Sequence, residues 1–169
     1  RENPHRLHLG IIGFEMNESD FQNITTINQQ LDMWNGIINS KFSLKGIPVE
    51  VKTISHSVEN SVCAHISSQA RIAIKFRLPY PTGAHVDDGC DWKSNGKHMT
   101  NIVSQTLNSV LLQRVIDDTV YYIQINWEGD ASISEKSKNY FLLTPLSDEF
   151  SFSANFLAEK PVDSKTPTF

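Results

Sequence analysis

The chain predicts an all-β fold, an antiparallel β-sandwich, on three observations. Apolar and polar residues alternate with a period of two in run after run, short polar turns separate the runs, and no window of about fifteen residues carries a helical apolar stripe. A parallel α/β fold would need a helical segment between successive strands, and those segments are missing.

The elements follow in order. Residues 8–14 read as a first strand, and residues 19–30 hold at most one short helical turn. Ile38, Phe42 and Leu44 mark a strand, Lys45-Gly46 turns the chain, and Val49, Val51 and Thr53 return it as a hairpin. Val62, Ala64 and Ile66 mark the next strand. In the one after it, Ile72, Ile74, Phe76 and Leu78 oppose Arg71, Ala73, Lys75 and Arg77, the pattern of a half-buried strand. Residues 110–116 run through Asp117-Asp118 into residues 119–127, where Tyr121, Ile123, Ile125 and Trp127 share a face. Residues 140–143 and the set Phe150, Phe152, Ala154 and Phe156 complete the series.

Length and composition bound the function classes. A chain of 169 residues fits one domain, taken as 1–159, and can bury a sizeable core without staples. The polar, proline-bearing residues 160–169 read as the start of a linker or a disordered tail. Hydrophobic residues make up 39% and charged residues 20%, ordinary for a soluble domain. The net charge is −4 and no basic stripe is present, which argues against nucleic acid as a partner. No apolar run approaches the ~20 residues of a membrane span, so no membrane partner is expected. The chain begins at Arg1, which reads as an excised piece whose export signal would be lost.

Cys63 and Cys90 permit a disulfide without requiring one; the alternation around Cys63 suggests a buried free thiol, and Cys90 a more exposed one. The triplets Asn17-Glu18-Ser19 and Asn23-Ile24-Thr25 match the glycosylation pattern, which also arises by chance.

The segment of residues 83–100, GAHVDDGCDWKSNGKHMT, carries the densest chemistry and reads as a long loop between strands. Asp87, Asp88 and Asp91 could accept hydrogen bonds from sugar hydroxyls, bind calcium, or simply cap a solvated turn. Their spacing is not that of a calcium-binding loop, and His85, Cys90 and His98 have no zinc-site spacing, so no metal and no other cofactor is expected. Trp92 and Trp34 could stack on pyranose rings or plug a sandwich edge, core packing being favoured for Trp34. His5, His56 and His65 read as surface or polar-face residues, and no nucleophile elbow supports a serine-histidine-aspartate site. A carboxylate pair able to hydrolyse a glycoside unaided is not apparent.

The segment LDMWNGIINSKF, residues 31–42, resembles a motif in the N-terminal domain of glycoside hydrolase family 65, through Leu31, Asp32, Met33 and Gly36; Trp34 stands where many members have arginine, and Ile38 replaces a leucine. The hairpin with Pro48-Val49-Glu50-Val51, then Thr53 and His56, is similar to the next segment of that family. The run Phe76-Arg77-Leu78-Pro79-Tyr80-Pro81-Thr82-Gly83, with Asp91-Trp92 and Lys97-His98-x-Thr100, is similar to a branch near the acid trehalases. The family includes acid trehalases and maltose and kojibiose phosphorylases. The resemblance covers roughly residues 30–130. It implies a supersandwich of the galactose-mutarotase type placed before an (α/α)6 barrel that carries the catalytic acid.

The resulting expectation is a non-catalytic β domain that packs on such a barrel and lends a loop to a carbohydrate site, in an exported protein (secreted or periplasmic). The expected substrate-binding set is Asp87, Asp88, Asp91, Trp92, His98 and Trp34, with an oligosaccharide or disaccharide and the catalytic domain of the same polypeptide as partners. The alternative is an autonomous carbohydrate-binding module with Trp92, Tyr80 or Trp34 exposed together as a platform.

Overall fold

The computed structural model describes residues 7–82, 84 and 88–161. The elements in order are β1 (Ile11–Phe14), α1 (Glu18–Gln22), β2 (Ile24–Asp32), β3 (Ile37–Leu44), β4 (Ile47–Ser55), β5 (Ser61–Ser67), β6 (Ile74–Arg77) and β7 (Tyr80–Pro81). They continue as β8 (Cys90–Asp91), β9 (His98–Gln105), β10 (Ser109–Ile116), β11 (Thr119–Glu128), β12 (Ala131–Ser137), β13 (Tyr140–Pro145) and β14 (Glu149–Leu157). An eight-stranded sheet, ordered β2-β3-β4-β5-β14-β11-β10-β9, faces a four-stranded sheet ordered β1-β6-β13-β12. The short strands β7 and β8 form a separate pair. Every pairing is antiparallel, as the alternation predicts.

Local chemistry explains the connections. Lys45 and Gly46 both have positive φ (52° and 84°), the type I′ geometry whose twist suits the two-residue link from β3 to β4. In α1, Asn17 accepts from the Asp20 backbone N–H at 2.9 Å while Asp20 accepts from the Asn17 N–H at 3.0 Å, a reciprocal cap for a single helical segment. The helix lies where one short turn was expected, but β2 follows at once. That strand escapes a pattern-based reading because it is an edge strand with few buried positions and an irregular register after Thr25. The exposed strand β12 escapes for the same reason.

The core lies between the two sheets. Phe76 of β6 and Phe141 and Leu143 of β13 meet Val110 and Leu112 of β10, Ile123 and Ile125 of β11, and Phe152 and Ala154 of β14. Phe76 and Phe152 cross the layer edge to face at 5.8 Å. The set Tyr121, Ile123, Ile125 and Trp127 is wholly buried on one face, as its spacing requires. Cys63 departs from expectation: it is half-buried rather than buried, because Val62, Ala64 and Ile66 take the inward phase of β5. Cys63 and Cys90 are not joined in a disulfide.

Four strands cannot cover eight. No residue of β2 or β3 belongs to the core cluster, although Phe42 of β3 touches Phe14 of β1 at 6.0 Å. The β2–β3 hairpin therefore leaves Ile27, Leu31 and Ile38 exposed.

Truncating a side chain at the layer centre should cost the transfer free energy plus a cavity. Phe141→Ala should lower the unfolding free energy by about 3–5 kcal/mol, read as a shift of the urea midpoint with unchanged slope.

Candidate functional site

Among the described residues of the segment 83–100, strand pairing replaces part of the expected loop. Tyr80 pairs with Asp91 and Pro81 with Cys90, and the Thr82 N–H donates to the Gly89 carbonyl at 2.9 Å, so the chain folds back on itself as a small ribbon. Asp91 then caps the following turn. Its Oδ1 accepts from the N–H groups of Lys93 (2.8 Å) and Ser94 (3.1 Å), and its Oδ2 from the Ser94 hydroxyl (2.5 Å). That Ser94 bond, followed by the Lys93 N–H, holds the carboxyl below its ordinary value.

Trp92 lies against the four-stranded sheet. The Arg77 guanidinium sits 4.6 Å from its ring and His8 meets it edge to face at 5.6 Å. Tyr80 donates to Asp117 at 2.9 Å, with Lys97 over its ring at 5.2 Å. Asp88 is exposed, whereas Asp87 and His85 lie outside the described residues. Among the described residues no three His, Cys, Asp or Glu side chains converge as metal ligands.

His98 points inward, to a cluster that sequence reasoning missed. Arg114 is 0% exposed and occupies the core-facing phase of β10, in register with Val110, Leu112 and Ile116. Its Nη1 donates to His98 Nδ1 (2.7 Å), Thr100 Oγ1 (2.9 Å) and Asn139 Oδ1 (3.2 Å). Its Nη2 donates to the Pro79 carbonyl (3.0 Å), and its Nε to the Tyr121 hydroxyl (3.4 Å). No carboxylate among the described residues pairs with it.

A guanidinium only donates, so His98 must accept and must be neutral. Burial, then the positive charges of Arg114 and Lys138, lowers the His98 pKa to about 4. The inward phase of an arginine between apolar residues was the available signal for this cluster.

Trp34 sits elsewhere. Its indole is 97% exposed at the tip of the β2–β3 hairpin, so the packed position favoured for it is not what the structure shows. Met33 beside it is 83% exposed. Asp32 holds this turn, accepting from the N–H groups of Trp34 (3.1 Å) and Asn35 (3.2 Å) and from Asn35 Nδ2 (2.7 Å). The Asn35 side-chain bond, then its backbone bond, keeps the Asp32 carboxyl below its ordinary value. The hairpin forms one edge of the large sheet and β9, with His98, the other. Seven strand spacings of about 4.8 Å along the sheet separate those edges, so Trp34 lies at the opposite edge from His98, on which Tyr80 packs.

The architecture defined by these elements, an eight-stranded sheet half covered by a four-stranded one, is that of a β-sandwich domain also found within a carbohydrate-processing enzyme. A solved structure described as a kojibiose phosphorylase from the human microbiome superposes with a TM-score of 0.52 at 14% sequence identity. The match covers 86% of this chain and 21% of that one, so the chain spans about a fifth of the length of the enzyme it resembles in fold. No family model matches the chain, and no curated protein sequence matches it. The likeness bears out the β-sandwich fold.

The neutral His98 gives a pH signature. In the unfolded chain it takes a proton near its ordinary 6.5, whereas in the folded chain it resists protonation until about 4. The unfolded state therefore binds more protons in that window. Stability present above pH 6.5 should fall as the pH drops toward 4, and His98→Asn should flatten the part between pH 6.5 and 5 in a series of urea midpoints. Arg114→Met strands buried acceptors and should cost about 3–5 kcal/mol in the same assay.

Proposed function

We propose that this chain is a non-catalytic β-sandwich domain of a glycoside hydrolase or phosphorylase, which packs on a helical catalytic domain of the same polypeptide and lends a loop to its carbohydrate site. The observation that carries the reading is the uncovered apolar hairpin. Ile27, Leu31, Met33, Trp34 and Ile38 are exposed together on β2, β3 and their connecting turn, beyond the reach of the four-stranded sheet. Exposed apolar side chains clustered on one element mark an interaction face, and Trp is among the residue types most enriched in the anchors of such faces. Asp32 fixes the turn that presents Trp34, so little conformational freedom is lost on docking.

The fold likeness to a stretch covering about a fifth of a kojibiose phosphorylase supports the same reading, since a domain of that share leaves most of an enzyme to be supplied by other parts. In this reading Asp88 and the open side of Trp92 are the ribbon's contributions to a saccharide. Asp91 and His98 act by holding the ribbon and its base, because their polar atoms are engaged internally.

Two results test the proposal. The reading frame should continue for several hundred residues rich in helices, and a stop near Phe169 contradicts the docking role. In the full polypeptide, Trp34→Asp should lower the thermal midpoint and release the sandwich to limited proteolysis. In the chain alone the same change should alter the unfolding free energy by no more than about 0.5 kcal/mol, because the indole touches solvent rather than core.

A further inference from the structure

The outer face of the eight-stranded sheet carries an uncharged polar patch that the core does not explain. Every residue of the core cluster lies on the opposite face or in the other sheet. In the outward phase of β5, β14 and β11, the pairing registers align Cys63, Ser153 and Asn126 in one cross-strand row. Ser61, Asn155 and Gln124 form the row beside it. Neighbours along a row stand about 4.8 Å apart.

Five of the six are buried, and none carries charge. Apolar groups close the rows, Ile54 opposite Cys63 and Leu111 opposite Gln124. A depression of about 150 Å³ opens next to the patch, lined in part by Ile37, Ile54, Cys63, His65 and Ser151.

The polar groups are under-used. Asn126 is 5% exposed; its Oδ1 accepts from Gln124 Nε2 at 3.2 Å, but its Nδ2 is buried with no partner. The Asn155 side chain makes no hydrogen bond with any described residue. A buried donor left unmade disfavours the folded chain, and such groups call for an explanation. Leucine or valine would fill these positions without that penalty.

Charged side chains begin one row further on, with Lys52, His65 and Glu128, and Lys52 also lines the depression, so the two polar rows themselves offer no counter-charge to an ionic ligand. Amides and hydroxyls that both donate and accept suit a neutral ligand whose own groups do both.

We propose that this patch is a saccharide-binding site, with the amides of Asn126, Asn155 and Gln124 hydrogen-bonding ligand hydroxyls and the flanking apolar side chains against its C–H face. The site lies on a different surface from the ribbon of residues 83–100 and does not depend on the docking role of the β2–β3 hairpin.

Titration calorimetry of this chain with glucose, galactose, maltose and trehalose, each to about 50 mM, tests it, together with side-chain amide NMR shifts. At least one of these sugars should bind saturably and move the amide signals of Asn126, Asn155 and Gln124. Asn126→Leu should weaken that binding at least tenfold; because it removes an unpaired donor but also the acceptor of Gln124 Nε2, the affinity and not the urea midpoint is the readout. Trp92→Ala should leave the affinity unchanged. Binding of none of the four sugars, or wild-type affinity in Asn126→Leu, would each overturn the assignment. Docking is read separately through Trp34→Asp, so the two proposals fail independently.

Discussion

The buried guanidinium of Arg114 is the tie on which one whole end of the sandwich depends. A cation out of water needs its field neutralised, usually by a carboxylate, and here neutral acceptors share the task. They come from β9 (His98 and Thr100), from β11 (Tyr121), from the stretch after β6 (Pro79) and from the β12–β13 turn (Asn139). One side chain therefore joins the large sheet to the connections of the small one. Asn139 suits this position because it adopts positive φ (62°) and still offers Oδ1 to both Thr100 and Arg114.

That tie also fixes what remains open. With the four-stranded layer held over β10, β11, β14 and β5, its other edge ends at β1, and β2 and β3 extend beyond it. The apolar residues of the hairpin follow from this geometry: they face where a further layer would lie. The ribbon of β7 and β8 sits at the tied end, because Tyr80 leans on His98 and Trp92 on Arg77. Anchored end and open end are thus separated by the width of the large sheet, and the proposed roles of ribbon and hairpin divide accordingly.

Much of this fold is legible in the sequence; of the strands that are not, β2 and β12 share a cause, while β9 begins inside the segment read as a loop. Strands such as β11 and β14 announce themselves because one face is core and the other is not. Strands β2 and β12 are hidden because exposure on both faces removes the contrast that makes a period of two visible. For the candidate site, residue types were readable but their directions were not. Asp91 and His98 look like ligand-binding groups in sequence, yet their partners are their own turn and a buried arginine more than a dozen positions away. Arg114 and the outward amides Asn126 and Asn155 acquire meaning only once the register shows which side of the sheet each faces.

The central claim is that the open end of the sandwich is a docking face, and amide hydrogen exchange tests it most directly. Exchange should be measured on this chain alone and on the full polypeptide that contains it. Docking predicts that backbone amides of the β2–β3 hairpin, from Leu31 through Ile38, become markedly slower to exchange in the full polypeptide, while those of β11 change little. Equal exchange of the hairpin in both contexts would contradict the account.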